Sequence, residues 1–349
     1  MSPSMGVPPE IPRGSELLLL PASVEIRDVG PRDGLQAEQP ISVSARIEMI
    51  EGLFAAGLRH VEICSFVSPK AVPSMAGGAE VVAGVAGREG VVRAALVPNV
   101  RGAQMALVAG VDEITVTVSA SEVYSQRNVG MNVADAVTSA AAIVGEVGKQ
   151  VPIDVVISCA FGSPYEGDLE PLVIGALCDS LLLGGATRVT LADTTGMATP
   201  ARIAAVLDAL SQAARSEVGL HLHETRGTGL VNAYAAMQMG VRRFDTSVGG
   251  LGGSPFAAGA AGNLATEDLV YLCDDLGVET GINLERLLAV SAQTALAIGH
   301  GVPSRVAAAG PRLAESPGSI GSSVDGQARG FANSSATASP TVSVGVVVQ

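Results

Sequence analysis

Residues 188–223 read RVTLADTTGMATPARIAAVLDALSQAARSEVGLHLH, and they decide how the chain folds. The opening run, RVTLAD, is β-branched and short enough for one strand; the closing run, GLHLH, is another. Between them the polar turn TTG leads into Thr199–Ala214, where apolar residues recur at helical spacing. Two strands joined through a helix lie parallel, because the helix carries the chain back to the same end of the sheet.

The same unit repeats outward in both directions. SVEIRDV, RHVEICS, VVRAALV, EITVTVS and PIDVVIS precede this stretch, and RRFDTSV follows it, making eight strand-like runs with RVTLAD and GLHLH. Helical patterns fall between them at Ser44–Ala56, Val133–Val147, Leu169–Leu182 and Gly229–Met239. Strands alternating with helices define the α/β class, and eight such units close as a (β/α)8 TIM barrel, here with extra C-terminal helices. An open doubly wound sheet is the competing arrangement.

Composition bounds what surrounds this barrel. The 349 residues are 48% hydrophobic, ample for one large core, and 42 glycines with 19 prolines fit many tight turns. A formal net charge of -13 opposes attraction to nucleic acid or anionic lipid. The four cysteines, Cys64, Cys159, Cys178 and Cys273, form no CxxC pair, so neither a disulfide framework nor a structural zinc site is read, and a cytoplasmic location is expected. The apolar run Leu17–Leu20 is too short for a signal peptide or a membrane span. Residues 1–22 read as a flexible leader, 23–300 as the barrel, and 301–349, rich in Ala, Ser, Gly, Pro and Val, as a largely disordered tail.

Active sites of this fold sit where the strands end, and the polar residues gather there. GPRDGLQ follows the first run, Glu62 lies in the second, Asn99 follows the third and SASE ends the fourth. SCAFGSPYEG, ADTTG, HLHE and GGLGGSPFAAGAAGN follow the remaining four. Half of the chain's four histidines fall in one of these, at His221 and His223. Residues two apart on a strand share a face with Cα atoms roughly 6.5 to 7 Å apart, so both imidazoles can converge on a cation about 2.1 Å from each nitrogen. The bland alternative is a pair of hydrogen-bonded polar barrel residues. His60 and His300 lack such a setting and read as surface or boundary residues.

Two neutral imidazoles do not offset a divalent ion, so an anionic ligand is needed from another strand end. Asp33, beside Arg32, is the candidate, its alternative being a turn aspartate before Gly34. Asn263 offers a carbonyl oxygen, or else an N-cap. A mixed oxygen and imidazole shell suits a hard or borderline divalent ion holding a chelating substrate.

VGPRDGLQ, VEICSFVSPKAVPSM, SCAFGSPYEG, LADTTGMATP, HLHETRG, SVGGLGG and GAAGNLATEDLVY occur in the order seen in the 3-hydroxy-3-methylglutaryl-CoA lyase family, which the chain resembles from about Val24 to about His300. Related condensing enzymes, the isopropylmalate and homocitrate synthases, usually carry Glu where this chain has Leu35, which favours the lyase branch. The resemblance implies metal-dependent cleavage of an acyl-CoA substrate into acetyl-CoA and acetoacetate. It makes Asp33, His221, His223 and Asn263 ligands of Mg²⁺ or Mn²⁺, Arg32 the enolate-stabilising cation, and Glu62 an acid needed for activity. Asp193 resembles a family position lining the same cavity, with helix capping as its alternative; Gln36 and Asn99 are read as lining the site or as structural, and a homodimer is expected.

One position departs from the family, which carries cysteine where this chain has Ser254. That thiol is read as the proton donor to the acetyl-CoA enolate, and a hydroxyl is a far weaker acid. Slower catalysis, proton delivery by another group, or a related substrate such as citramalyl-CoA each fit the change; Cys64, placed on the same strand face as Glu62, is a weaker substitute. A low-turnover binding barrel and a condensing acyltransferase are the other functional classes. The glycine-rich run GGLGGSPFAAGAAG is expected to fold over substrate as a lid.

Overall fold

The computed structural model describes residues 19–253 and 262–310, so most of the leader and of the tail lie outside the described residues. Eight strands, β1 (Glu25–Asp28), β2 (His60–Ser65), β3 (Val92–Leu96), β4 (Glu113–Ser119), β5 (Ile153–Ser158), β6 (Arg188–Ala192), β7 (Val218–His221) and β8 (Arg243–Thr246), follow one another in a closed barrel. Every pair is parallel, and β8 returns to β1 with Glu25 opposite Arg243 and Asp28 opposite Thr246. That last pairing excludes the open sheet.

Helices fill the outer ring: α1 (Val43–Ala56), α2 (Gly78–Gly84), α3 (Val100–Ala109), α4 (Glu122–Val129), α5 (Val133–Val147) and α6 (Pro171–Leu183), of which α1, α5 and α6 fall where the apolar spacing places them. The stretch expected as one helix after β6 is two, α7 (Pro200–Ala209) and α8 (Gln212–Glu217). Leu210 turns extended, and the Ser211 hydroxyl accepts the Ala214 N–H, so an N-cap restarts the helix. α9 (Gly229–Gln238) precedes β8, and the expected C-terminal helices are α10 (Thr266–Leu276), α11 (Leu284–Ile298) and α12 (Arg305–Ala309). α11 packs on α1. α12 falls within the segment assigned by composition to the tail; Ser304 caps it and Asp268 accepts from Ser304 Oγ at 2.7 Å and Val306 N at 2.9 Å. Among the described residues no helix is long and apolar enough to cross a membrane.

Strand alternation sorts the two faces of the wall. On β4, Ile114, Val116 and Val118 are buried in the apolar core with the helices' inner faces, whereas Glu113 and Thr115 reach Arg27. The lower interior is therefore ionic, in contrast to the branched aliphatic layers usual for the fold. Arg27, 4% exposed, meets Asp245 at 2.8 and 2.7 Å, Asp154 at 2.9 Å and Glu113 at 3.3 Å. His60 belongs to the same layer, between Glu25 at 3.0 Å and Glu113 at 2.8 Å. It is buried, correcting the boundary position read from sequence, because β2 turns it toward these carboxylates. Burial opposes its charge, but the two carboxylates outweigh burial and raise its pKa.

Glu267, on α10, supplies a pH dependence. Its two carboxyl oxygens accept the Gly249 N–H at 2.9 and 3.0 Å, and burial pushes it up to about 8. An unfolded glutamate titrates near 4.3, so between there and about 8 the folded chain holds a proton that the unfolded chain has lost. Stability therefore falls as pH rises through that window, by at most about 5 kcal/mol. Urea unfolding at pH 5 and pH 9 should show a smaller difference for Glu267→Gln than for wild type. An equal difference in both would remove Glu267 as its source.

Candidate active site

The site is built on four connections at the C-terminal end of the barrel. After β1, Gly30–Gly34 winds into one π-helical turn that aims the N–H groups of Arg32, Asp33 and Gly34 at the Val29 carbonyl. This turn lies against the segment after β8 closely enough that a Cβ on Gly34 would stand 2.8 Å from Ser247 Oγ. The wide turn stands Arg32 and Asp33 side by side above the barrel, with Arg32 Nη1 donating to Asp33 Oδ1 at 2.7 Å.

Glu62 approaches from β2. It is fully buried, and its Oε2 accepts from Arg32 Nε at 2.5 Å while Oε1 has no partner. The register of β2 against β3 shifts between Glu62 and Cys64. A bulge of this kind breaks the alternation, and Cys64 packs toward α2, where a Cβ on Gly78 would meet its Sγ at 3.6 Å. Cys64 does not share Glu62's face, and burial pushes its thiol up to about 12. It is not a substitute proton donor.

The two histidines converge as their spacing predicts. His221 ends β7, and His223, two residues on, forms a bridge with Asn263. Their Nε2 atoms are 3.1 Å apart, and His221 Nε2 lies 3.9 Å from Asp33 Oδ2. Asp33, His221 and His223 thus bring one ligand atom each within 4.8 Å of the others. Asn263 is not a helix cap, since α10 starts at Thr266 behind Ala265. Its Nδ2 donates to Asp33 Oδ2 at 2.8 Å and to the Leu251 carbonyl at 2.9 Å, leaving Oδ1 buried without a partner. Gly252 makes room for that amide, with φ +110° and a Cβ position 2.4 Å from Asn263 Nδ2.

Electrostatics distinguish these groups. Burial resists charge on Asp33, yet Arg32 and His221 outweigh it and hold the carboxyl below its usual range. Arg32 is likewise penalised by burial but kept charged by Glu62 and Asp33. Burial, then His221, lowers His223 to about 3, so its imidazole is neutral. For His221 burial opposes the charge, and the Asp245 contact reverses the balance and raises it. Two nitrogens 3.1 Å apart, one carboxylate and an unpartnered amide oxygen suit a divalent cation: donors about 2.1 Å from a common centre at right angles stand about 3 Å apart.

The remaining expected residues divide. A cavity of about 920 Å³ opens over the ligand group, lined by Arg32, Asp33, His221, His223, Gln36 and Asn99. Asn99 also caps α3, its Oδ1 accepting the Gly102 N–H at 2.9 Å. Asp193 is outside that lining, although Ala192 and Thr194 beside it are within it. Its Oδ1 accepts the Ala198 N–H at 2.8 Å, Oδ2 is buried and unpartnered, and burial pushes the carboxyl up to about 7. Ser254 and residues 255–261 of the proposed lid lie outside the described residues; of the rest of that run, Gly249 is tied to Glu267, Leu251 to Asn263, and Gly253 stands at the cavity wall. Asp245, unmarked by sequence reasoning, lines the same cavity and contacts His221 from the neighbouring strand; a carboxylate in β8 is the one signal the sequence offers for it.

Fold and site together define a closed (β/α)8 barrel in which Asp33, His221 and His223 come close enough together to hold a metal ion at the strand ends, beneath a large cavity. The HMGL-like family model matches residues 23–293, and the chain belongs to that family. The 3-hydroxy-3-isohexenylglutaryl-CoA/hydroxymethylglutaryl-CoA lyase of Pseudomonas aeruginosa is 41% identical over 293 residues, covering 83% of this chain and 98% of that protein. A hydroxymethylglutaryl-CoA lyase of Bacillus subtilis is 38% identical over 82% of this chain and 96% of its own length. The solved structure of an HMG-CoA lyase from Acinetobacter baumannii with coenzyme A and 3-methylmalate superposes with a TM-score of 0.80 at 36% identity, covering 85% of this chain and 98% of that one.

Proposed function

We propose that the chain is a divalent-metal-dependent carbon–carbon lyase that cleaves 3-hydroxy-3-methylglutaryl-CoA into acetyl-CoA and acetoacetate. The activity shared by its relatives supports this, and the observation that carries the metal-dependent reading is the Asp33, His221 and His223 group beneath the large cavity. Mg²⁺ or Mn²⁺ held by these three side chains and Asn263 Oδ1 would supply Lewis acidity, lowering the pKa of a chelated substrate hydroxyl.

The chain's own groups account for the other requirements. Asp193, pushed up to about 7 and one residue from the cavity-lining Ala192 and Thr194, is the carboxyl whose pKa suits removal of the hydroxyl proton near neutral pH. As the C2–C3 bond breaks, its electron pair moves onto the thioester carbonyl and forms the acetyl-CoA enolate, while the 3-carbon becomes the ketone of acetoacetate. Arg32, which lines the cavity with Nε and Nη1 already fixed by Glu62 and Asp33, would meet that charge without reorganisation. Protonation of the enolate carbon completes acetyl-CoA. Soluble action in the cytoplasm belongs to the same reading.

A second substrate reading is favoured by the cavity wall, which runs past Val67, Met105, Val129, Met131 and Ile143, an apolar extent suited to a 3-substituent longer than methyl. Release of acetyl-CoA from a panel of 3-hydroxyacyl-CoA thioesters, with and without chelator, tests both. Activity indifferent to chelator would overturn metal dependence, and activity confined to longer thioesters would overturn the methylglutaryl substrate.

The same assay addresses Ser254. If enolate protonation limits turnover, Ser254→Cys should raise kcat on the methylglutaryl substrate by about 10²-fold, because a thiol donates a proton near neutral pH and an alcohol does not. An unchanged kcat would place proton delivery on another group.

A further inference from the structure

We propose that Asp245, clamped by Arg27, is a positioning residue that fixes His221 as the Nδ1–H tautomer and aims its Nε2 at the ligand group. This rests on the reading of His221 as a metal ligand. Asp245 stands opposite His221 in the pairing of β7 with β8 and is 6% exposed. Its Oδ1 accepts from Arg27 Nε at 2.8 Å and its Oδ2 from Arg27 Nη2 at 2.7 Å. The same Oδ2 lies 3.3 Å from His221 Nδ1.

A carboxylate receiving two guanidinium N–H bonds, one on each oxygen, is acceptor-only. The contact with His221 therefore requires Nδ1 to donate, which leaves the lone pair on Nε2, the atom facing His223 Nε2 at 3.1 Å and Asp33 Oδ2 at 3.9 Å. A free imidazole swings about its Cβ–Cγ bond and exchanges tautomers; this one is held at both ends. Partners of this kind behind a metal-binding histidine typically change affinity 10–100-fold.

Arg27 makes the carboxylate itself immobile. Its guanidinium also meets Asp154 at 2.9 Å and Glu113 at 3.3 Å, so it is fixed from two further strands. That arrangement gives Asp245 a single orientation, and it lets Asp245 be neutralised without leaving Arg27 unpaired.

The chain has four histidines, so ¹⁵N-histidine spectra of the metal-free protein at alkaline pH are simple, with His221 assigned by its loss in His221→Asn. The expected spectrum has His221 protonated at Nδ1. A wild-type His221 protonated at Nε2 overturns the inference whether or not any variant folds. In parallel, Mn²⁺ titration followed by the electron spin resonance of free Mn²⁺ should show affinity about 10–100-fold weaker in Asp245→Asn, with KM little changed at saturating Mn²⁺. Arg27→Lys keeps the charge for Glu113 and Asp154 but loses the paired clamp, and should weaken binding several-fold. Equal affinity in folded Asp245→Asn and wild type overturns the inference. Failure of wild type to bind Mn²⁺ with the Nδ1–H tautomer present overturns the metal-ligand reading and leaves Asp245's hold on His221 standing.

Discussion

Replacing Arg32 by lysine is expected to lower kcat by roughly 10²-fold or more while Mn²⁺ affinity and KM change little. Arg32 spends Nε on Glu62 and Nη1 on Asp33, and its side chain, fixed by both bonds, lines the cavity. Lysine brings one mobile ammonium, which cannot span both carboxylates and still meet the charge that develops on the thioester oxygen. The loss therefore falls on the transition state. Arg32→Met adds a different effect: Glu62 is fully buried, and removing its cation leaves an uncompensated charge, costing about 3–5 kcal/mol of stability. Steady-state kinetics of the lysine variant and urea unfolding of the methionine variant separate the two roles. A lysine variant within tenfold of wild-type kcat would remove Arg32 from the chemistry.

How much of this was legible in the sequence depends on distance along the chain. The eight strands sit within the runs that alternation marks, apart from a residue at the start of β7, because the signal for each is local. His221 and His223 are legible for the same reason, two residues apart on one strand end. Arg27 and Asp245 are not, since the bond between them spans 218 positions and only barrel closure between β1 and β8 makes them neighbours. Read alone, each is one polar residue in a short strand. Glu62 and Cys64 show a different limit. Their spacing says one face, and the register shift between them says otherwise. Asn263 is legible in part: its residue type allows either a carbonyl oxygen at the site or a cap, and the bridge to His223, with the helix starting at Thr266, decides against the cap.

His223→Leu should abolish metal binding without weakening the metal-free fold. His223 is buried, neutral and poorly satisfied: Nδ1 has no partner and Nε2 faces the other imidazole. A buried polar atom left unpaired costs about 1–3 kcal/mol. Leucine removes that cost and fills much of the same volume, so without cation the variant should match or exceed wild type in urea. With cation the order reverses. Loss of an outer-shell partner alone reduces metal affinity 10–100-fold, so removal of a ligating nitrogen should reduce it more than about 100-fold. At Mn²⁺ a hundredfold above its dissociation constant, wild type gains about 2.7 kcal/mol of stability, and the variant should gain almost none. Acetyl-CoA release should fall to background in parallel. Equal Mn²⁺ stabilisation of both proteins would show that His223 is not a ligand. A variant weaker than wild type without cation would show that the imidazole serves the fold, so the crossing of the two stability orders is the result that identifies a residue kept for the ion.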